Sequence, residues 1–340
     1  MGGLTDTPAR RWPLRGIAAL AAVIGLGVAG SGLALAEPAP TTRDTAPTTR
    51  DTAAAAPDTT GAAADAAAAA SGPAQYNFLA AAAYSLLHPT ASPPGANDWS
   101  CRPSARHPNP VVLVHGTAEN AYDNWAGLSG KLAADGYCVF APNLGGAAGS
   151  PLQGLGPIAE SARQLGEFVT RVLASTGASK VDIVGHSQGG MMPRYYIRNL
   201  GGSSTVDKLV ALAPSNHGTD FNKLLTAITA IPGGSDILGL VCTSCVEQEA
   251  SSAFITRLNA GGETHPSVRY TVIATRTDEV VTPYTSSFLA AGGNVVNTTL
   301  QQHCLLDLTE HLGISYNPIA IRLVRNALDP STARTPGCLG

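Results

Sequence analysis

The chain has 340 residues, with 21 Lys and Arg against 24 Asp and Glu, a net charge of -3 and only 13% charged residues. It carries no basic footprint, which argues against nucleic-acid binding and against electrostatic attachment to anionic membranes. Its hydrophobic share of 44% is enough for a large buried core, and low charge suits an exported protein that works near apolar material.

The chain begins with Arg10-Arg11 and Arg15, an uncharged stretch from Gly16 to Ala36, and the small-residue site Ala34-Leu35-Ala36. This is the pattern of a signal peptide over residues 1–36. A membrane anchor is the alternative, but the stretch is rich in Gly and Ala and closes on an A-x-A site. Arg10-Arg11 is a weak twin-arginine feature, since Pro13 stands where that signal usually has an apolar residue. Residues 37–75 are dominated by Ala, Thr, Pro and Asp, and Ala39-Pro40-Thr41-Thr42-Arg43-Asp44-Thr45 recurs as Ala46 to Thr52. That composition buries no core, so the segment reads as a disordered spacer or pro-segment. Residues 76–340 then form one α/β catalytic domain, and the protein is expected to be secreted and extracellular.

All six cysteines, Cys101, Cys138, Cys242, Cys245, Cys304 and Cys338, fall in that domain. An even number behind an export signal predicts three disulfides, with about 15 possible pairings. Cys242-Thr243-Ser244-Cys245 lacks the second pair of a metal site and the βαβ setting of a redox motif, so neither metal nor cofactor is expected.

Pro110 to Val114 reads as a buried parallel strand, followed at its carboxyl end by His115-Gly116-Thr117. Gly136 to Ala141 is the next strand. Ile158, Ala162, Leu165, Phe168, Val169 and Val172 have helical spacing, with Gly177 as terminator. Val181 to Val184, Lys208 to Ala213, Val268 to Ala274 and Asn294 to Leu300 are further strands, and Pro318 to Leu328 is the final helix. Strands alternating with helices predict a mainly parallel sheet covered on both faces.

Between the strand at Val181 and a helix starting at Gln188 lies Gly185-His186-Ser187-Gln188-Gly189, a G-x-S-x-G nucleophile elbow. A serine hydroxyl becomes a useful nucleophile when a tight turn exposes it to a histidine and to backbone N–H groups that bind an oxyanion. Ser187 is therefore the candidate nucleophile. In this class the acid and then the histidine follow the serine. Asp278 comes directly after a strand and ranks above Glu279, Asp220, Asp207 and Asp236. Of the two histidines downstream, His311, in the loop before the last helix, is preferred over His303. Thr117 and Gln188 are the candidate oxyanion donors through their backbone N–H groups, and the Thr117 hydroxyl is a further candidate. His115 and His186 read as turn and packing residues.

Asn97-Asp98-Trp99-Ser100-Cys101, Val114-His115-Gly116-Thr117, Asn124-Trp125, Gly185 to Gly190, Asn216-His217-Gly218-Thr219, Thr277-Asp278-Glu279-Val280-Val281 and Glu310-His311-Leu312-Gly313-Ile314 together resemble exported actinobacterial triacylglycerol lipases and esterases. That group is the class 2 lipases of the α/β-hydrolase superfamily, and the resemblance spans most of residues 76–340. It implies an α/β-hydrolase fold, Ser187, Asp278 and His311 as the catalytic triad, and Thr117 with Gln188 as oxyanion donors. It also implies the pairs Cys101–Cys138, Cys304–Cys338 and Cys242–Cys245. The expected partner is a lipid or other ester substrate, with a lipid–water interface as a candidate meeting place, and the chain is expected to be a monomer.

Residues 220–262 read as a lid or a pocket wall, with Leu224, Leu225, Ile228, Ile231, Ile237 and Leu240 as candidate acyl contacts or ordinary core. The expected activity is ester hydrolysis through an acyl-Ser187 intermediate without a cofactor. The competing readings are an acyltransferase with the same triad, a short-chain carboxylesterase, a peptidase, and a non-catalytic binding module on the same fold.

Overall fold

The computed structural model describes residues 71–221 and 234–340. The signal peptide and the spacer up to residue 70 lie outside the described residues. From residue 71 onward the chain is fastened: the Gly72 N–H donates to Ser92 O at 2.9 Å, and the Tyr122 hydroxyl donates to Pro73 O at 2.7 Å. Helix α1 (Phe78–Leu87) follows, its first turn capped by Asn77.

Six strands form one sheet: β1 (Val111–Val114), β2 (Val139–Phe140), β3 (Val181–His186), β4 (Val206–Leu212), β5 (Arg269–Ala274) and β6 (Val295–Thr299). Their order is β2-β1-β3-β4-β5-β6, and each adjacent pair is parallel. These are the strands expected from the apolar runs, which lack alternation because a parallel sheet is covered on both faces. β2 is shorter than expected. At that edge the Asn97 side chain takes the place of a strand, accepting from Ala141 N at 2.8 Å and donating to Ala141 O at 3.1 Å.

Alternate strand residues supply two cores. On one face Val112, Val114, Ile183, Leu209 and Val272 pack against α4 (Ile158–Thr176) and α5 (Gln188–Asn199). On the other, Val111, Leu113, Val184, Val210 and Ile273 meet α2 (Ala121–Trp125), α3 (Ser129–Ala134) and α9 (Pro318–Leu328). Trp125, Leu165, Ile183 and Leu113 are fully buried, and each such aliphatic side chain contributes about 1.5–3 kcal/mol. Gly177, at φ 74°, ends α4 in the left-handed region that a residue with a Cβ adopts only with strain. α9 has Pro318 in its first turn and Asn317 as a side-chain cap, which fixes its start just after the His311 loop. Among the described residues, three short helices, α6 (Gly234–Val241), α7 (Thr243–Glu247) and α8 (Ala253–Asn259), lie between β4 and β5.

Chain order reverses direction in the sheet between β1 and β3: β2 lies on one side of this pair and β4 to β6 on the other. The carboxyl ends of β1 and β3 therefore lie at the switch point of the sheet, the usual ligand position in such folds. Val114 pairs with Gly185, so Gly116-Thr117 and Ser187-Gln188 emerge side by side.

Disulfides join Cys101 to Cys138, Cys242 to Cys245 and Cys304 to Cys338, the pairs that the resemblance implies, and leave no free cysteine. Cys304–Cys338 closes the carboxyl-terminal tail back onto the loop after β6. Replacing both residues by serine is expected to cost about 2–5 kcal/mol, measured by urea denaturation against the wild-type protein.

Candidate active site

Ser187 stands between β3 and α5 with φ 54° and ψ -124°, a conformation costing about 1–3 kcal/mol that the surrounding packing must hold. The flanking glycines explain how. A Cβ on Gly185 would lie 1.8 Å from Gly189 O, and one on Gly189 would lie 2.3 Å from Val114 O. Only glycine permits the strand, the helix start and the end of β1 to approach so closely. Gly116 is equally confined, since its Cβ would lie 3.2 Å from the Ser187 Cβ and 2.6 Å from Glu119 Oε2. Gln188 opens α5, so its backbone N–H is one of the donors a helix leaves unpaired at its start, where the dipole favours negative charge.

Asp278 and His311 meet. His311 Nδ1 lies 2.9 Å from Asp278 Oδ2, and the other carboxylate oxygen accepts the N–H groups of Val280 at 2.9 Å and Val281 at 2.8 Å. With Nδ1–H donating to the carboxylate, Nε2 is the ring nitrogen left for proton exchange. Both side chains are buried. The His311 loop is drawn to the end of β5 by Thr309 O, which accepts from the hydroxyls of Thr275 at 2.7 Å and Thr277 at 2.6 Å. The His311 N–H donates to Glu279 Oε2 at 3.2 Å. Burial disfavours the imidazolium, but the charge and hydrogen bond of Asp278, with Glu119 and Glu279 behind it, outweigh burial and push His311 up to about 9.

His303 contacts Thr298 instead, with Nε2 3.3 Å from its hydroxyl, and Asp220 accepts from the Thr282 hydroxyl at 2.5 Å. Asp207 pairs with Lys208 and Arg269. His115 holds its own turn: Nδ1–H donates to Gly116 O at 2.8 Å and Nε2 accepts from Leu144 N at 3.0 Å, and burial lowers its pKa. The Thr117 hydroxyl is already engaged, donating to Gln188 Oε1 at 2.9 Å and accepting from Gln248 Nε2 at 2.8 Å. Leu224, Leu225, Ile228 and Ile231 lie outside the described residues, as does the Ile237 side chain. Leu240 is 87% exposed.

Sequence reasoning missed Glu119 and Gln248 as neighbours of this cluster, and Glu279, weighed there as an alternative acid, instead accepts the His311 N–H. The same reasoning read His186 as packing, whereas His186 bonds Glu119 at 2.9 Å and sets its ring 4.8 Å from that of His311. Thr219, in the Asn216–Thr219 stretch, steadies the Asp278 loop by bonding Val280 O and accepting from Thr282 N. Among the described residues no cluster of three or more His, Cys, Asp or Glu side chains is arranged to hold a metal ion.

The family model of lipase (class 2) matches residues 108–321. The chain belongs to the class 2 lipase family. A triacylglycerol lipase of Pseudarthrobacter phenanthrenivorans is 42% identical over 91 residues, covering 25% of this chain and 27% of that protein. One from Burkholderia plantarii is 42% identical over 91 residues, covering 25% and 24%. Lipase B of Pseudozyma antarctica is 29% identical over 240 residues, covering 66% and 63%. The matches thus span about a quarter of the two triacylglycerol lipases and under two thirds of the third protein. Among solved structures, Aspergillus fumigatus lipase B superposes with a TM-score of 0.54 at 24% identity, covering 72% of this chain and 60% of that one. The mature Bacillus licheniformis lipase BlEst2 gives 0.50 at 17% identity, covering 67% and 94%. This class 2 lipase family member therefore has the α/β-hydrolase fold.

A histidine whose folded pKa is raised stabilises the fold fully below its unfolded value, about 6.5, and loses that contribution as pH rises through the folded value. Glu279→Gln removes one of the anions that favour the imidazolium. The His311 titration, followed by NMR of ring-labelled histidine, is expected to move to lower pH in that variant.

Proposed function

We propose that this protein is an exported, monomeric carboxylic ester hydrolase that cleaves acylglycerol lipids through an acyl-Ser187 intermediate. The observation that carries this reading is the buried His311–Asp278 hydrogen bond beside an elbow serine held at positive φ. Family membership supports the same chemistry.

In this reading His311 Nε2 takes the Ser187 hydroxyl proton as Oγ attacks the acyl carbon. The oxyanion accepts from the backbone N–H groups of Thr117 and Gln188, fixed donors that need no reorganisation as charge develops. Asp278 stabilises the imidazolium and holds the ring's tautomer. His311 then gives its proton to the leaving alcohol, and a water molecule repeats the sequence to release the acid. Because Thr117 Oγ1 is committed to Gln188 and Gln248, only its backbone is assigned to the oxyanion.

The lipid class rests on the apolar loop that precedes His311 in the chain. Leu305, Leu306 and Leu308 stand 76%, 84% and 78% exposed on the loop that leads to His311, an apolar edge suited to acyl chains. Export rests on the basic, apolar and A-x-A start of the chain together with three disulfides.

The test is hydrolysis of p-nitrophenyl esters of short and long acyl chains by the purified protein beside Ser187→Ala. Turnover of long chains is expected, with a loss of at least about a thousandfold in the variant, which keeps the wild-type melting temperature. Turnover of short chains alone would reassign the substrate to soluble esters, and Ser187-independent turnover would move the nucleophile.

A further inference from the structure

Glu119 is a buried carboxylate, 2% exposed, to which the proposed acyl chemistry gives no task. It lies two residues past Thr117 on the turn after β1. Its Oε2 accepts the Gly116 N–H at 2.9 Å and faces His186 Nδ1 at 2.9 Å. His186 Nε2 in turn lies 3.0 Å from the backbone carbonyl oxygen of His311. A carbonyl oxygen only accepts, so Nε2 carries a hydrogen and donates it. Another hydrogen lies between Nδ1 and Oε2. One path of hydrogen bonds therefore runs from the oxyanion turn, through the residue before the nucleophile, to the backbone of the candidate base.

Burying a carboxylate is costly unless it is paired and hydrogen-bonded, and losing one partner of such a pair leaves the other stranded. Glu119 meets both conditions. Burial pushes its carboxyl up, but His186 and then His311 outweigh this and hold it below the ordinary carboxylate range. The titratable groups around the pair are His115 on the β1 turn, Asp123 on α2, and His311 and Tyr316 before α9, with Asp278 and Glu279 after β5 reached through His311. Burial and the neighbouring Glu119 charge raise the Asp123 carboxyl well above its usual range. Asn124 lies against the same turn, its Oδ1 accepting from Gly116 N at 3.2 Å.

We infer, on the reading of Ser187, Asp278 and His311 given above, that Glu119 and His186 form a second acid–imidazole pair that positions the first. Through this pair a single carboxylate fixes the oxyanion turn and the seat of His311 together. Both are positioning residues and neither touches the substrate.

The test compares full-length wild-type protein with Glu119→Gln, Glu119→Asp and His186→Gln, using ester kinetics over a pH series and thermal melting. Glu119→Gln keeps the length and loses the charge. Its kcat is expected to fall about ten- to a hundredfold with KM unchanged, the scale of a small misplacement of reacting groups. The ascending limb of kcat/KM is expected to shift to lower pH, since one anion that favours the His311 imidazolium is gone. Glu119→Asp, which restores the charge, should return that limb toward the wild-type position. Wild-type rates and an unmoved limb in folded Glu119→Gln would overturn the positioning role while leaving the Ser187 reading intact. Absence of Ser187-dependent turnover in the wild type would instead overturn the reading itself. Should the variants fail to fold, nitrogen NMR of wild-type histidines decides: His186 Nε2 is expected to stay protonated throughout the active pH range, and an unprotonated Nε2 would end the proposal.

Discussion

The contact of backbone with backbone at Gly185, Gly189 and Val114 is the constraint from which the rest of the site follows. With no Cβ on either glycine, the end of β3, the first turn of α5 and the end of β1 come within van der Waals distance. Ser187 is thereby forced into the left-handed region, a strain offset by the burial of Met191 and Met192 on the helix that the turn launches. The same approach places Gly116 against Ser187, so main-chain packing sets a turn that the Glu119 carboxylate then holds. Parallel register carries this order across the sheet, and the acid and the histidine reach the same edge from β5 and from the loop after β6.

Much of this was legible because it is written locally. Continuous Val and Ile runs mark strands buried on both faces, Gly177 and Pro318 mark helix limits, and the pentapeptide around Ser187 marks a strand-to-helix turn. The choice between His303 and His311 was not local, since both follow the acid and both border loops. Contacts distant in sequence separate them: Thr309 is drawn to Thr275 and Thr277, while His303 stays on its own strand beside Thr298. Glu119 was not legible at all. Thr117-Ala118-Glu119-Asn120 reads as a polar turn, and the partner that gives Glu119 meaning is 67 residues away. The Thr117 hydroxyl was over-read for the same reason, because Gln188 and Gln248 claim it from other elements.

The electrostatics around the two imidazoles reward reading as one system. Glu119, Asp278 and Glu279 converge on His311, and Glu119 on His186 as well, with Asp123 beside Glu119, while the chain as a whole is sparing with charge. Buried anions at this density persist only when hydrogen bonds and opposite charge answer each of them. Asp278 is answered by two backbone N–H groups and a ring, and Glu119 by one N–H and a ring. Asp123 is answered by the backbone N–H and the side-chain amide of Asn120. The local order is thus one of matched pairs, and a change at any member is felt at His311.

The Cys304–Cys338 bond encloses the His311 loop and the whole of α9 in a covalent ring. A polypeptide commonly loosens from its free end, and proteases exploit such fraying. Here the end is tied, so unravelling toward His311 must begin with a cut inside the ring, where Asn317 caps the helix and Val324 and Ile319 are fully buried. The bond thereby acts as armour for the His311 loop, independent of any contribution it makes to equilibrium stability.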